Sequence, residues 1–215
     1  MFITLEGIEG SGKTTQIEAT AHWLTAAGYP CLTTREPGGT PIGAQIRSVL
    51  LRPDNQGLVP KAELMLYAAD RAQHLETVVK PALAAGTVVV CDRYFDATLV
   101  YQGYARGLDR QMIRRLHQLA SDGLMPDLTL LLDLDPAAGL ARAWRRMEAD
   151  GSHARESRFE KEQLAFHQRV RAGYLDLARR EPQRIRIIDA TVDPAAVSNQ
   201  IQSVLETHLP GRKAE

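Results

Sequence analysis

Near the start of the chain, Gly7-Ile8-Glu9-Gly10-Ser11-Gly12-Lys13-Thr14, followed by Thr15, fits the pattern G-x-x-x-x-G-K-[ST]. Each residue type suits an anion. The glycines let the backbone fold so that successive N–H groups point inward at phosphate oxygens. A helix beginning near Lys13 adds the positive end of its dipole. Lys13 reaches the β- and γ-phosphates, and the Thr14 hydroxyl is the group that holds Mg²⁺. The loop therefore implies a nucleoside triphosphate but not a reaction, because kinases, GTPases and motor ATPases share it.

Other residues narrow the chemistry. The chain has no N-K-x-D motif with which a GTPase reads its base. In VVVCDRYFDAT, Asp92 follows an apolar run and is placed to act on Mg²⁺ or its water, and Arg93 offers a planar, permanently charged fork to the same space. The bland alternative for this pair is a surface ion pair. TREPGGT supplies Arg35, a bend at Pro37 and two glycines for close approach, and leaves the isomer of the Glu36–Pro37 bond open. Arg47 and Arg71 follow. Several arginines on converging loops suit two phosphorylated substrates facing each other, whose charges repel as they approach. Tyr67 and Arg71 stand i, i+4 on one helix face, where one can stack on a base and the other bond its edge. Core packing is the alternative for Tyr67.

The elements that must position these groups are legible as alternating patterns. Apolar, β-rich runs predict strands over 2–6, 30–34, 87–92, 128–134 and 184–189. Helical spacing covers 14–27, with Gly28 as C-cap, and 41–51, with Pro41 in its first turn. A long helical pattern over 61–85 is interrupted by Pro81. Further helices are expected over 96–104 and 109–122, from Pro136 until the pattern fades in the polar stretch 147–157, and over 159–180 and 193–208. Strands alternating with helices, without hairpin signals, predict an α/β fold: a parallel sheet of about five strands with helices on both faces. Ligands on such sheets gather at the C-terminal ends of the strands. The loops at 7–14, 35–40 and 92–98 all follow strands, so they should meet. The expected organisation is one domain over 1–215.

Composition sets outer limits. The chain of 215 residues is 44% hydrophobic and 24% charged, ordinary for a globular protein. Lys plus Arg and Asp plus Glu are 26 each, so no global field draws it to nucleic acid or a membrane. Any anion site must be a local cluster of arginine and lysine. The two cysteines, Cys31 and Cys91, read as free thiols in a reducing cytoplasm. No apolar run approaches the ~18 residues of a membrane span. No basic segment with a cleavage site begins the chain. The six histidines are scattered, with none at metal-ligand spacing.

Taken together, GIEGSGKTT, TREPGGT, LYAADRAQH, DRYFDATLVYQG and IDAT, in this order from residue 2 to about residue 205, resemble bacterial thymidylate kinase, a P-loop nucleoside monophosphate kinase family. The resemblance implies a P-loop NTPase fold with a small lid, and transfer of the γ-phosphoryl group of ATP to thymidine 5′-monophosphate with Mg²⁺. It implies that residues 7–15, with Gly7, Ile8, Glu9, Gly10, Ser11, Gly12, Lys13, Thr14 and Thr15, hold ATP, with Arg142 nearby and Asp189-Ala190-Thr191 bordering the adenine. Arg35 and Arg93, with Arg47, would hold the acceptor phosphate beside Pro37. Tyr67 would stack on thymine, and Arg71, Thr98 and Gln102 would reach its polar edge. Tyr101 would pack under the sugar, where a 2′-hydroxyl would clash, and Glu9 would meet the 3′-hydroxyl. Thr14, Glu36 and Asp92 would organise Mg²⁺ and its waters.

The family's lid matches residues 147–158. Its bacterial subclass supplies a lid arginine where the P-loop has none, and Arg158 best matches that arginine among Arg142, Arg145, Arg146, Arg155 and Arg158. Lys13, Asp92, Arg93 and Arg158 would then be the catalytic set. The family's members are homodimers, and apolar residues of the 61–85 helix are an expected contact. The sequence departs from the pattern at Glu9 (often Asp), Tyr67 (more often Phe), Ala97 (commonly Ser) and Ser157 (usually Asp). A kinase for another pyrimidine nucleotide, or a P-loop ATPase or switch, is the competing reading.

Overall fold

The computed structural model describes residues 1–150 and 157–209, the Asp150 side chain excepted. Five strands form the sheet: β1 (Phe2–Glu6), β2 (Cys31–Arg35), β3 (Val88–Asp92), β4 (Leu128–Asp133) and β5 (Ile185–Asp189). Their order is β2-β3-β1-β4-β5 and every pairing is parallel. β1, β3 and β4 are buried nearly throughout, as expected of central strands covered by helices on both faces. The connection from β1 to β2 passes over β3, and that from β3 to β4 passes over β1. The sheet thus reverses direction beside β1 and opens a crevice there, at its C-terminal edge.

The helices are α1 (Lys13–Ala26), α2 (Pro41–Leu51), α3 (Pro60–His74), α4 (Lys80–Ala84), α5 (Phe95–Thr98), α6 (Arg110–Ser121), α7 (Pro136–Asp150), α8 (Leu164–Arg180) and α9 (Pro194–His208). Local signals place several of their starts. Thr40 caps α2, Asp109 caps α6 and Asp193 caps α9, each accepting from a first-turn N–H. α1 instead follows Gly12, at φ 93°, with no side-chain cap. Its first-turn N–H groups are not taken by a side chain of the residue before them. No helix among the described residues is long and apolar enough to cross a membrane.

The structure departs from the sequence expectation at three places. The 61–85 pattern splits into α3, a π-helical turn (Leu75–Val79) and α4. Pro81 cannot donate to the carbonyl of Thr77 one turn back, and the wider turn absorbs the missing bond. The 96–104 helix is α5 followed by a π-helical stretch over Leu99–Ala105, which carries Tyr101 and Gln102. α7 runs on to Asp150, past the expected onset of the lid at 147, because arginine, methionine and glutamate favour helix as well as any residues. The interior of the expected lid, 151–156 with Arg155, lies outside the described residues. On its far side residues 158–162 form turns, not helix. The Phe159 ring is drawn inward against Tyr101 and Phe166, at 5.4 and 6.3 Å between centroids, and its carbonyl faces His167 Nε2 at 3.1 Å.

One close approach governs how α7 meets the phosphate loop. A Cβ on Gly10 would lie 2.0 Å from the Gly139 carbonyl oxygen, and one on Gly139 would lie 2.5 Å from that of Glu9. Only a pair of glycines lets the helix back directly onto the loop, and this brings the arginines of α7 beside it.

Candidate active site

The crevice is a cleft of about 630 Å³. The phosphate loop and the start of α1 form one end of its wall. The β2–α2 loop, α2, the end of β3 with Arg93 and Tyr94, α3, α5 with its π-helical extension, α7 and residues 159–160 supply the rest.

At the loop end, Lys13 is nearly buried and its Nζ lies on the carbonyls of Gly7 (3.1 Å) and Ile8 (2.9 Å) and near Ser11 Oγ (3.5 Å). Burial, then the charge of Arg93, pulls its ammonium down to about 8. Phosphate oxygens would supply the negative charge that restores it. Thr14 and Thr15 are exposed at the mouth. Asp92 lines the same cleft, and its Oδ1 is buried without a hydrogen-bond partner. An orphaned carboxylate oxygen in a cleft that Thr14 also lines fits a Mg²⁺ ion, which takes one or two protein ligands and completes its shell with phosphate oxygens and water. Among the described residues no three His, Cys, Asp or Glu side chains gather to hold a metal, so protein ligands alone would not suffice.

Arg93 stands at the centre. Its backbone is left-handed (φ 66°), a conformation that non-glycine residues adopt at a cost of about 1–2 kcal/mol. The turn aims its guanidinium into the cleft. Nη2 donates to Glu9 Oε1 (3.1 Å), Nη1 donates to the Tyr174 hydroxyl (3.1 Å), and the group lies 5.0 Å over the Tyr101 ring. Glu9 also accepts from the Tyr101 hydroxyl (2.5 Å), and His167 Nδ1 lies 3.1 Å from its other oxygen. Burial alone would raise the Glu9 carboxyl. The His167 hydrogen bond and the charges of Arg93, His167 and Lys13 outweigh it and hold the group below the usual carboxylate range. Burial pushes the Tyr101 phenol well above its ordinary value, so the hydroxyl remains a donor to Glu9.

Behind Arg93 lies Glu6, which the motifs do not reveal. Its Oε1 accepts from the backbone N–H groups of Tyr94 (2.8 Å) and Ala97 (3.3 Å), and its Oε2 accepts from the Tyr174 hydroxyl (2.6 Å). Glu6 thus fixes both the start of α5 and, through Tyr174, the guanidinium of Arg93. Its one signal in the sequence is a carboxylate ending the otherwise uncharged run FITLE. Burial, then the charge of Asp96, raises Glu6 to about 7.

The far end of the cleft is lined by Pro37, Arg47, Tyr67, Arg71, Thr98, Tyr101 and Gln102. The Glu36–Pro37 bond is cis, and Arg47 Nη1 donates to the Pro37 carbonyl (3.0 Å). Arg71 donates from Nε to Glu36 Oε2 (2.9 Å) and from Nη2 to Thr98 Oγ1 (2.8 Å), and lies 4.9 Å over the Tyr94 ring. The other Glu36 oxygen meets His74 Nδ1 at 3.0 Å. Both oxygens of Glu36 are therefore engaged away from the metal position expected for it, and Glu36 braces Arg71. Gln102 donates from Nε2 to Glu63 Oε1 (2.7 Å).

Several expected residues stand off the cleft wall. Arg35 is exposed at the end of β2. Arg142 donates to the Ala190 carbonyl (3.2 Å), next to Thr191, whose N–H and hydroxyl donate to Asp189 at 2.9 and 2.6 Å, so α7 and residues 189–191 do meet. Arg158 is buried and turned away. It donates to the Leu50 carbonyl (2.9 Å) and to Glu63, and lines a separate pocket with Arg106, Lys161 and Glu162. The α7 arginine that lines the main cleft is Arg146. The cleft thus gathers a cationic group at Lys13, further cationic groups at Arg93 and Arg47, and aromatic and amide side chains at Tyr67, Tyr101 and Gln102.

A family model described as thymidylate kinase matches residues 5–201. The thymidylate kinase of Trichlorobacter lovleyi is 59% identical over 209 residues, 97% of this chain and 98% of that protein. The thymidylate kinase of Desulfosudis oleivorans is 56% identical over 206 residues, 96% of each. Among solved structures, the thymidylate kinase of Ehrlichia chaffeensis is similar with a TM-score of 0.74 at 35% identity, covering 95% of this chain and 98% of that one.

Glu6 makes stability depend on pH in a stated direction. In the folded chain it keeps its proton to about pH 7, whereas unfolded it releases it near its ordinary 4.5. With respect to Glu6 the folded state binds more protons in that window, so its contribution to stability falls as pH rises from 4.5 to 7. Glu6→Gln lacks this term. Its stability relative to the unsubstituted protein should therefore rise by about 3 kcal/mol across the window, read as urea midpoints at a series of pH values. A difference that stays flat would show that Glu6 is not protonated in the fold.

Proposed function

The chain belongs to the thymidylate kinase family, and on that premise we propose how its residues divide the work of phosphoryl transfer. The enzyme moves the γ-phosphoryl group of ATP to thymidine 5′-monophosphate, giving dTDP and ADP. An oxygen of the acceptor phosphate attacks the γ-phosphorus and the bond to the β–γ bridging oxygen breaks. That acceptor oxygen is already anionic at neutral pH, so no covalent enzyme intermediate is required. The protein's work is alignment, charge neutralisation and exclusion of water.

The observation that carries this reading is the single cleft with two cationic ends, Lys13 and Arg93. Residues 7–15 wrap the ATP phosphates, and Arg142 with Thr191 borders the adenine. Thr14 and Asp92 would hold Mg²⁺, whose charge would neutralise the ATP phosphates; Glu36, held by Arg71 and His74, would reach it only through water. Arg93 and Arg47 hold the acceptor phosphate, with Arg35 approaching from the rim. Tyr67 stacks on thymine while Arg71, Thr98 and Gln102 meet its edge. The Tyr101 hydroxyl, tied to Glu9, fills the place of a 2′-hydroxyl, and Glu9 meets the 3′-hydroxyl.

The transition-state charge falls first to Arg146, which already lines the cleft. Arg158 joins it only by exchanging Glu63 and the Leu50 carbonyl for phosphate oxygens. We read 1–215 as one kinase unit with a lid at about 147–158, working in the cytoplasm beside its nucleotides. The assembly we propose is a homodimer. Exposed Ile42 and Val49 on α2, Met65 on α3, and Met112 and Leu119 on α6 lie on three helices that pack side by side, and they favour a second copy as partner.

The primary experiment is coupled ADP release with Mg-ATP and dTMP, dUMP, the ribose form of TMP, dCMP, AMP, thymidine or no acceptor. Fast turnover confined largely to dTMP is expected; acceptor-independent ADP release would contradict the kinase reading. In the same assay Arg146→Ala should lower kcat by at least tenfold with KM for dTMP little changed, given that such arginines contribute about 10³–10⁵ in rate. Near-normal turnover in Arg146→Ala, with loss in Arg158→Ala, would transfer the role to Arg158. Sedimentation should give twice the chain mass, and one-fold mass at micromolar concentration would remove the dimer.

A further inference from the structure

Glu63 lies on α3, fully buried, and does not line the cleft. It nevertheless holds three donors. Its Oε1 accepts from Gln102 Nε2 (2.7 Å) and Arg106 Nε (3.4 Å), and its Oε2 accepts from Arg158 Nη2. A carboxylate between two guanidinium groups is an acceptor only. The amide of Gln102 must therefore turn its NH₂ towards Glu63, whichever way the group is drawn. Gln102 does line the cleft, so what it presents there is its carbonyl oxygen.

Arg71 presents the opposite polarity. A guanidinium carries donors only; with Nε on Glu36 and one Nη2 hydrogen on Thr98, whatever Arg71 offers the cleft it lines is a donor. The base pocket thus offers one acceptor, Gln102 Oε1, and one donor, from Arg71. A 2,4-dioxopyrimidine carries an N3–H donor beside an O4 acceptor and fits both. A 4-aminopyrimidine carries an N3 acceptor beside an N4–H donor and opposes both.

We infer that Glu63 is a positioning residue that locks the hydrogen-bond polarity of Gln102 and so selects 2,4-dioxopyrimidine over 4-aminopyrimidine nucleotides. The inference rests on the reading of Gln102 as a base-edge contact. It assigns half of the base discrimination to a residue that touches no substrate. Arg106 and Arg158 occupy Glu63 as donors from its other sides and leave Gln102 no second orientation. The lid-proximal Arg158 thereby also bears on base choice.

The test is the ratio of kcat/KM for dTMP to that for 5-methyl-dCMP, two acceptors of the same size that differ only in the polarity of this edge. In Glu63→Gln the new amide can donate or accept, so Gln102 is free to rotate. The ratio should fall about tenfold or more, as expected for one buried hydrogen bond reversed. The dTMP to dUMP ratio should hold within twofold, since both share N3–H and O4; a merely loosened site would move it. Gln102→Leu should lower the first ratio as well, and Glu63→Gln added to it should change nothing further. An unchanged dTMP to 5-methyl-dCMP ratio in Glu63→Gln, or a full additional drop in the double variant, overturns the inference.

Should Glu63→Gln fail to fold, the side-chain NH₂ resonances of Gln102 in the unsubstituted protein decide. They should keep their shift and slow exchange when dTMP binds, and a large change would mean that NH₂ faces the base. If the unsubstituted enzyme does not turn over dTMP, the functional reading falls. If it does but the ratio is unmoved, only the role of Glu63 falls.

Discussion

The conformation of Arg93 is the constraint on which the rest of the site depends. A left-handed arginine directly after a central strand persists only if its surroundings over-determine it. Here they do. Its N–H continues the ladder to the Leu5 carbonyl at 3.1 Å, and its guanidinium is held by Glu9 from the phosphate loop and Tyr174 from α8, over the ring of Tyr101. Glu6 at the end of β1 holds the Tyr174 hydroxyl and the N–H groups of Tyr94 and Ala97. One side chain thus ties together the donor loop, the acceptor recess and two helices.

The same logic explains how a chain of zero net charge binds two anions. The cationic groups of the cleft are local and already oriented, and each is braced by a carboxylate: Arg93 by Glu9 and Arg71 by Glu36. Such pairs add little to stability, because desolvating both charges is costly, but removing one partner of a buried pair destabilises by about 3–5 kcal/mol. Their use is preorganisation. Donors held in place before the substrate arrives need no rearrangement as charge develops. Lys13 is the exception, resting on backbone carbonyls with its charge weakened by burial.

Much of this was legible in the sequence because it is written in local spacing. The phosphate loop, the five strands with their alternating helices, Asp92-Arg93 and the Tyr67–Arg71 helix face all follow from residues a few positions apart. The bracing groups do not. Glu6 meets Tyr174 across 168 positions, Glu63 meets Arg158 across 95, and Glu36 meets Arg71 across 35, separations at which no periodicity operates. For the same reason Glu36 read as a metal organiser and Arg158 as a group at the phosphates, where the structure engages them with Arg71 and Glu63. The π-helical turns before Pro81 and through Tyr101 and Gln102 also escape a reading based on α-helical spacing.

The central claim is that Arg93, fixed by its neighbours, aligns the acceptor phosphate with the donor. It is tested most directly by single-turnover phosphoryl transfer in Arg93→Lys, which keeps the charge but loses the fork bound to Glu9 and Tyr174. A misplacement of about 1 Å costs on the order of 10²-fold in rate. The account predicts a fall of about that size or more, with ATP affinity within threefold of the unsubstituted enzyme. A transfer rate within threefold would contradict it and leave the acceptor phosphate to other groups.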